Sequence, residues 1–184
     1  MNRPALLATK AIETVSRLAG HLASWLIFAA ILISAANALI RYALDLSSNA
    51  WLEIQWVLFS AAFLLGAGYT LQQGQHVRID VFSSRLGPRG QALIDVFGTL
   101  CFLLPMCVLI VWLSWPVFWR DWSSGEVSSN AGGLPLWPSR LLVLIGFLLL
   151  GLQGIAELIK RWSDAMSSAG PPDANANIRK GEPS

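Results

Sequence analysis

Charged residues are scarce in this chain of 184 residues. They make up 13% of the sequence, whereas hydrophobic residues make up 54%. A soluble domain normally carries about a quarter charged residues, so the composition excludes an ordinary soluble protein and indicates a membrane protein. The net charge of +2 is too small an excess to indicate binding of nucleic acid.

Cysteine and histidine are also scarce, with two residues of each. Cys101 and Cys107 lie in one apolar segment, where six residues of helix turn them to different faces. We therefore expect neither a structural disulfide nor a thiolate metal site. His21 and His76 lie far apart in the sequence, and zinc usually needs three or four protein ligands. The sequence predicts no metal and no cofactor.

Long uncharged segments are abundant instead. A bilayer core of about 30 Å requires roughly 20 apolar residues in a helix. Four segments meet this requirement, and we predict spans over residues 18–40, 51–71, 92–119 and 138–160. The first could also be a signal peptide that ends near Ala36-Asn37-Ala38, but its apolar stretch is too long for a typical signal. The predicted fold class is an all-α integral membrane protein with four transmembrane helices.

Lysine and arginine residues predict the orientation of these spans, because cytoplasmic segments hold an excess of them. Ten of the 13 fall in the two tails and the middle loop. The other three are Arg41, Arg120 and Arg140. Both termini are therefore predicted to be cytoplasmic.

The segments outside the spans differ in composition. Residues 1–17 mix apolar and charged residues, which predicts a cytoplasmic interfacial helix that runs into the first span. Residues 163–184 are rich in Pro, Gly and polar residues, which predicts a disordered cytoplasmic tail.

The middle loop holds the string Gly74-x-His76-x-Arg78-x-Asp80. A metal site or a proton relay is one interpretation of these residue types. We favour a structural role, in which Asp80 caps a short helix lying flat on the membrane and Arg78 holds a headgroup phosphate or the carboxylate of Asp95.

Polar and small residues within the spans have two possible roles. Arg41 follows the first predicted span and Glu53 lies at the start of the second, across one short loop. We favour an interfacial ion pair between them over the alternative, a cation or proton site. Gln153 more often forms an interhelical hydrogen bond than a substrate contact. Gly66 belongs to a small face, Ala62-x-x-x-Gly66, that suits close helix packing.

Two segments carry a family resemblance. They read SSNAWLEIQWVLFSAAFLLGAGYTLQQGQHVRIDVF and GGLPLWPSRLLVLIGFLLLGLQGIAELIK. Together they resemble the small four-helix membrane subunit of tripartite ATP-independent periplasmic (TRAP) transporters, over roughly residues 15–162. The chain departs from many relatives at Ile54 and Gln55.

The resemblance implies a small scaffold subunit with no enzymatic activity. Its partners would be the large TRAP membrane subunit, which moves the solute with sodium, a periplasmic substrate-binding protein and the lipid bilayer of the bacterial inner membrane. Candidate structural or subunit-interface residues are Arg41, Trp51, Glu53, Gly66, Gly74, His76, Arg78, Asp80, Trp137 and Gln153.

Two other classes of protein stay open on the sequence alone. A proton-coupled small multidrug exporter also has four helices, but it would need a carboxylate in its first span, and residues 18–40 have none. A membrane anchor of a redox enzyme would need paired histidines or a quinone pocket.

Overall fold

The structure is a computed structural model that describes residues 3–45, 49–74, 88–130 and 133–167. Helices account for nearly all of these residues. They are α1 (Arg3–Leu44), α2 (Asn49–Gln72), α3 (Pro88–Gly98), a π-helical turn (Thr99–Leu103), α4 (Leu104–Ser124) and α5 (Trp137–Ser167). Four helical segments are long and apolar enough to cross a membrane: Leu7–Leu44, Asn49–Gln72, Leu93–Ser124 and Trp137–Arg161. The prediction of an all-α protein with four spans is confirmed.

The first helix is continuous from Arg3 to Leu44, with no break between the segment predicted as an interfacial helix and the first span. Thr9 and Ser16 are both buried within the protein. The N-terminal turns therefore pack on the other helices along one side.

The third span contains a π-helical turn directly before a proline. Pro105 lacks a backbone N–H and cannot complete the regular ladder of hydrogen bonds. In the wider turn, the backbone N–H of Leu104 bonds to the carbonyl oxygen of Thr99, five residues earlier. The turn therefore accommodates the proline without ending the helix, and α3, the turn and α4 form one long segment.

The four spans pack in the order α1, α2, α5 and α4, with α1 also touching α5. Close approach of these helices depends on glycine. A methyl group at Gly20 would lie 2.5 Å from the Tyr69 ring, and one at Gly146 would lie 2.6 Å from the Cβ atom of Leu64. Helix α5 lies against both α2 and α4. Large apolar surfaces of α1 and α4 stay exposed.

Each end of the helix assembly gathers different segments. The terminal end holds the start of α1 and the end of α5, and the hairpin end holds the connection between α4 and α5. Helix α5 continues to Ser167, so the segment predicted as a tail from residue 163 begins in helix. The rest of that tail, and the middle-loop residues His76, Arg78 and Asp80, lie outside the described residues.

Candidate functional site

Residues 125–130 and 133–136, between α4 and α5, form the two arms of a small hairpin, which we call the hairpin. Gly125 ends α4 in a left-handed conformation with φ of 65°, which glycine adopts without steric cost. The two arms then pair through the backbone, with Ser128 N–H donating to Leu134 O at 2.9 Å and Leu136 N–H donating to Glu126 O at 3.0 Å. The hairpin is therefore a defined structure at the end of the helices.

Glu53 holds the hairpin to the first turns of α2. Its carboxylate accepts hydrogen bonds from Ser128 Oγ at 2.5 Å, from Asn130 Nδ2 at 2.6 Å and from the backbone N–H of Leu134 at 2.8 Å. The ion pair between Arg41 and Glu53 that the sequence suggested is therefore replaced by contacts with the hairpin. The physical reason is that the hairpin brings three donors to one carboxylate.

A buried carboxylate ties α4 to the start of α5. Asp121 is fully buried, and its Oδ2 atom lies 3.2 Å from Nε of Arg140. Its Oδ1 atom lies 3.1 Å from Nη2 of the adjacent Arg120. A buried carboxylate is stable only when it is paired and hydrogen-bonded, and both arginines supply that pairing while staying partly exposed.

Asp121 was not among the predicted site residues, because it follows the predicted end of the third span at residue 119. Helix α4 continues to Ser124 and turns Asp121 inward. Trp122 and Trp137 pack edge to face beside it, with ring centroids 4.7 Å apart. An acidic residue among tryptophans is the one sequence feature that could have indicated a buried carboxylate. It does not identify Arg140, the partner that lies 19 residues later.

A second buried polar contact lies inside the helix assembly. Ser16 Oγ on α1 donates to Oε1 of Gln153 on α5 at 2.8 Å, and both side chains are about 1% exposed. Gln153 therefore forms the interhelical type of hydrogen bond expected for it. Ser16 was not singled out from the sequence, because a serine among charged residues carries no local signal of burial.

Ion pairs cluster at the terminal end. Lys160 pairs with Glu13, which joins α5 to α1, and Arg161 pairs with Asp95, which joins α5 to α3. Arg161 also lies 3.8 Å from Glu157 of its own helix. Asp95 therefore has an arginine partner other than the Arg78 considered from the sequence.

The remaining predicted site residues have separate positions. Arg41 and Trp51 are exposed near the hairpin end. Gly66 faces α1, where a methyl group would meet Ala23 at an ordinary 3.6 Å. Gly74 has φ of 66° just after α2, and its N–H bonds to Leu71 O at 3.0 Å. Trp137 lies against Trp122, as described above.

Groups with catalytic or metal-binding potential do not converge in the described part of the chain. No three His, Cys, Asp or Glu side chains there are placed to hold a metal ion. The two cysteines are free thiols, Cys101 exposed and Cys107 buried. The polar contacts described above instead join one helix to another.

These features define a multi-pass membrane protein of four spans, with polar contacts that join the helices near both ends. A family model matches residues 30–164, which is most of the chain, and its description is Tripartite ATP-independent periplasmic transporters, DctQ component. The chain belongs to this family and is a TRAP transporter component. A comparison with curated proteins found no match.

Proposed function

We propose that this chain is the scaffold subunit of a sodium-coupled, binding-protein-dependent TRAP transporter that imports a small organic acid or a related solute. Its partners are the large TRAP membrane subunit and a periplasmic substrate-binding protein. Membership of the family supports a place in such an assembly. The large subunit then carries the solute and sodium sites, and this chain supplies a fixed support.

One observation carries the scaffold role: the buried polar side chains serve contacts within the chain. Among the described residues, the polar side chains that are buried as a whole are Thr9, Ser16, Asp121 and Gln153, and each of them has a partner; the half-buried Gln72 has one buried oxygen without a partner. A transport site inside the helix assembly needs fully buried polar groups that are free to exchange partners with a solute, whereas these four side chains are occupied. Fully satisfied buried polar contacts make a structure more rigid.

The proposed orientation places the terminal end in the cytoplasm and the hairpin in the periplasm. The excess of lysine and arginine in the tails and the middle loop supports it. In this orientation the hairpin held by Glu53 faces the compartment of the substrate-binding protein.

Reconstitution in proteoliposomes tests the proposed function. We expect no uptake of organic acids by this chain alone. Uptake should require the large subunit, a sodium gradient and the binding protein together. Liposomes that hold the large subunit and the binding protein without this chain are the matched control, and they should also be inactive. Solute movement driven by this chain alone, above all in response to a pH gradient, would contradict the proposal and favour the exporter.

A further inference from the structure

A polar pocket lies between α1 and α2 near the hairpin end, with a volume of about 560 Å³. Its polar lining residues are Ser34, Asn37, Arg41 and Tyr42 from α1, Asp45 just after α1, and Gln55 from α2. Its lining residues other than Asp45 belong to two helical segments that are long and apolar enough to cross a membrane, Leu7–Leu44 and Asn49–Gln72, whose outer surfaces meet lipid or a partner. Six polar side chains on such a surface require an explanation.

The deeper side chains of this pocket have no hydrogen-bond partner within the described part of the chain. Ser24 and Thr70, by comparison, bond to carbonyl oxygens of their own helices at 3.2 and 3.0 Å. Asn37 and Gln55 make no such bond, and both are partly buried. Hydrocarbon offers no hydrogen bonds, so polar groups at this position favour a partner that does.

The depth of these side chains argues against lipid as that partner. A helix rises about 1.5 Å per residue, so Asn37 lies roughly 6 Å deeper than Arg41, and Ser34 lies roughly 10 Å deeper. A headgroup phosphate can reach Arg41 near the helix end, but at the depth of Asn37 and Ser34 a lipid presents acyl chain. Asp45 also lines the pocket and opposes the charge of Arg41, so the pocket mouth has no excess positive charge to select an anionic headgroup.

A second groove, between α4 and α5, has the opposite chemistry. It has a volume of about 700 Å³ and is lined by apolar side chains that include Val108, Trp112, Leu148 and Leu152. That surface suits acyl chains without further partners. The two sides of the helix assembly therefore differ in polarity, and the α1–α2 side is the one whose polar side chains favour contact with another protein.

We propose that the polar pocket between α1 and α2 is a docking site for a transmembrane helix of the large membrane subunit, one with hydrogen-bonding side chains at the depth of Asn37 and Gln55. This inference rests on the proposed function, because that function supplies the partner. It assigns the contact to the α1–α2 side and leaves the groove between α4 and α5 to lipid.

Site-specific photo-cross-linking in the intact complex tests the assignment. A benzophenone amino acid is placed at position 37, 55 or 112, with the last as the control on the apolar groove. We expect positions 37 and 55 to link to the large subunit and position 112 to give no protein adduct. A link from 37 and 55 to a second copy of this chain, or a link to the large subunit from 112 alone, would overturn the assignment. So would the absence of links from 37 and 55 in a complex that co-purifies normally.

Substitutions give a second measurement. Asn37→Leu and Gln55→Leu should each weaken association with the large subunit roughly threefold, and together roughly tenfold, as expected for loss of two interhelical hydrogen bonds. Ser60→Leu, which replaces an exposed polar residue elsewhere on α2, is the matched control and should have no effect. The isolated double variant should unfold at the same temperature as the parent chain, because neither residue has an internal partner.

The outcomes separate this assignment from the proposed function. If the unmodified chain fails to co-purify with the large subunit, the proposed function is wrong, and the assignment is wrong with it. If the complex forms but both leucine variants associate normally, the assignment alone is wrong. A double variant that is itself unstable would show an internal role for these side chains and would also overturn it.

Discussion

The buried hydrogen bond between Ser16 and Gln153 predicts that the smaller of two substitutions lowers the stability of the chain more. Ser16→Ala removes one hydroxyl group, yet it leaves the Gln153 carbonyl buried without its donor. Gln153→Leu is the larger chemical change, but the Ser16 hydroxyl that it leaves can turn to a carbonyl one helical turn earlier. We therefore expect the smaller substitution to destabilise the chain more.

The magnitudes follow from the environment of the bond. A buried acceptor without a donor costs about 1–3 kcal/mol, and interhelical hydrogen bonds in membrane proteins contribute about 0.6 kcal/mol on average. Ser16→Ala should lower the free energy of unfolding by about 1–2 kcal/mol and Gln153→Leu by about 0.5–1 kcal/mol. In the double variant both polar partners are gone, so its loss should be smaller than the sum of the two single losses.

Equilibrium unfolding of the purified chain in detergent micelles, followed by tryptophan fluorescence, measures these differences. Ser24→Ala is the matched control, since the Ser24 hydroxyl bonds only to a carbonyl of its own helix, and it should change stability very little. Additive losses in the double variant, or a larger loss for Gln153→Leu than for Ser16→Ala, would refute the reasoning.

Three further predictions concern the hairpin, the helix packing and the orientation. Glu53→Gln should speed amide hydrogen exchange in the hairpin, because the Glu53 carboxylate accepts three hydrogen bonds from hairpin residues. The matched control Glu126→Gln, at an exposed acid of the same hairpin, should leave the exchange rates unchanged. Equal exchange rates in the two variants would contradict the role of Glu53. Gly146→Ala should lower the free energy of unfolding by about 1–3 kcal/mol, because the added methyl group forces α5 away from α2. Gly66→Ala is the control, since its methyl group has space and stability should hardly change. Thermal unfolding in detergent compares the two variants, and unchanged stability of Gly146→Ala would disprove the close approach of α5 and α2. The variant Glu126→Cys should react with a membrane-impermeant thiol reagent applied from the periplasm, and the unmodified chain is the control. Labelling of this variant only from the cytoplasmic side would reverse the proposed orientation.

Features that depend on adjacent residues were predictable from the sequence. The predicted spans 51–71 and 138–160 lie within helices Asn49–Gln72 and Trp137–Ser167, because the length of an apolar segment and its charged flanks are properties of adjacent residues. The predicted family is confirmed for a related reason. The quoted segments carry its pattern without knowledge of how the helices pack.

Contacts between distant residues were accessible only in part. Gln153 could be expected to bond to another helix, since a polar side chain in a span needs a partner, but the sequence did not identify Ser16, 137 residues away. For Glu53 the sequence suggested Arg41, the nearest opposite charge across a short loop. The carboxylate bonds instead to a hairpin more than 70 residues later in the chain.

The sequence by itself determined the number of segments that are long and apolar enough to span a membrane, since hydropathy along the chain separates such segments from those in water, and it determined the family, whose pattern lies in adjacent residues. Tertiary structure alone decided that Asp121 is buried against Arg140, that Gly146 lies against Leu64 and that Asn37 and Gln55 line one pocket. The physical reason is that every face of a transmembrane helix can be apolar. The periodicity that marks a buried face in soluble proteins is then weak, and the choice of neighbours depends on how side chains from separate helices fit together.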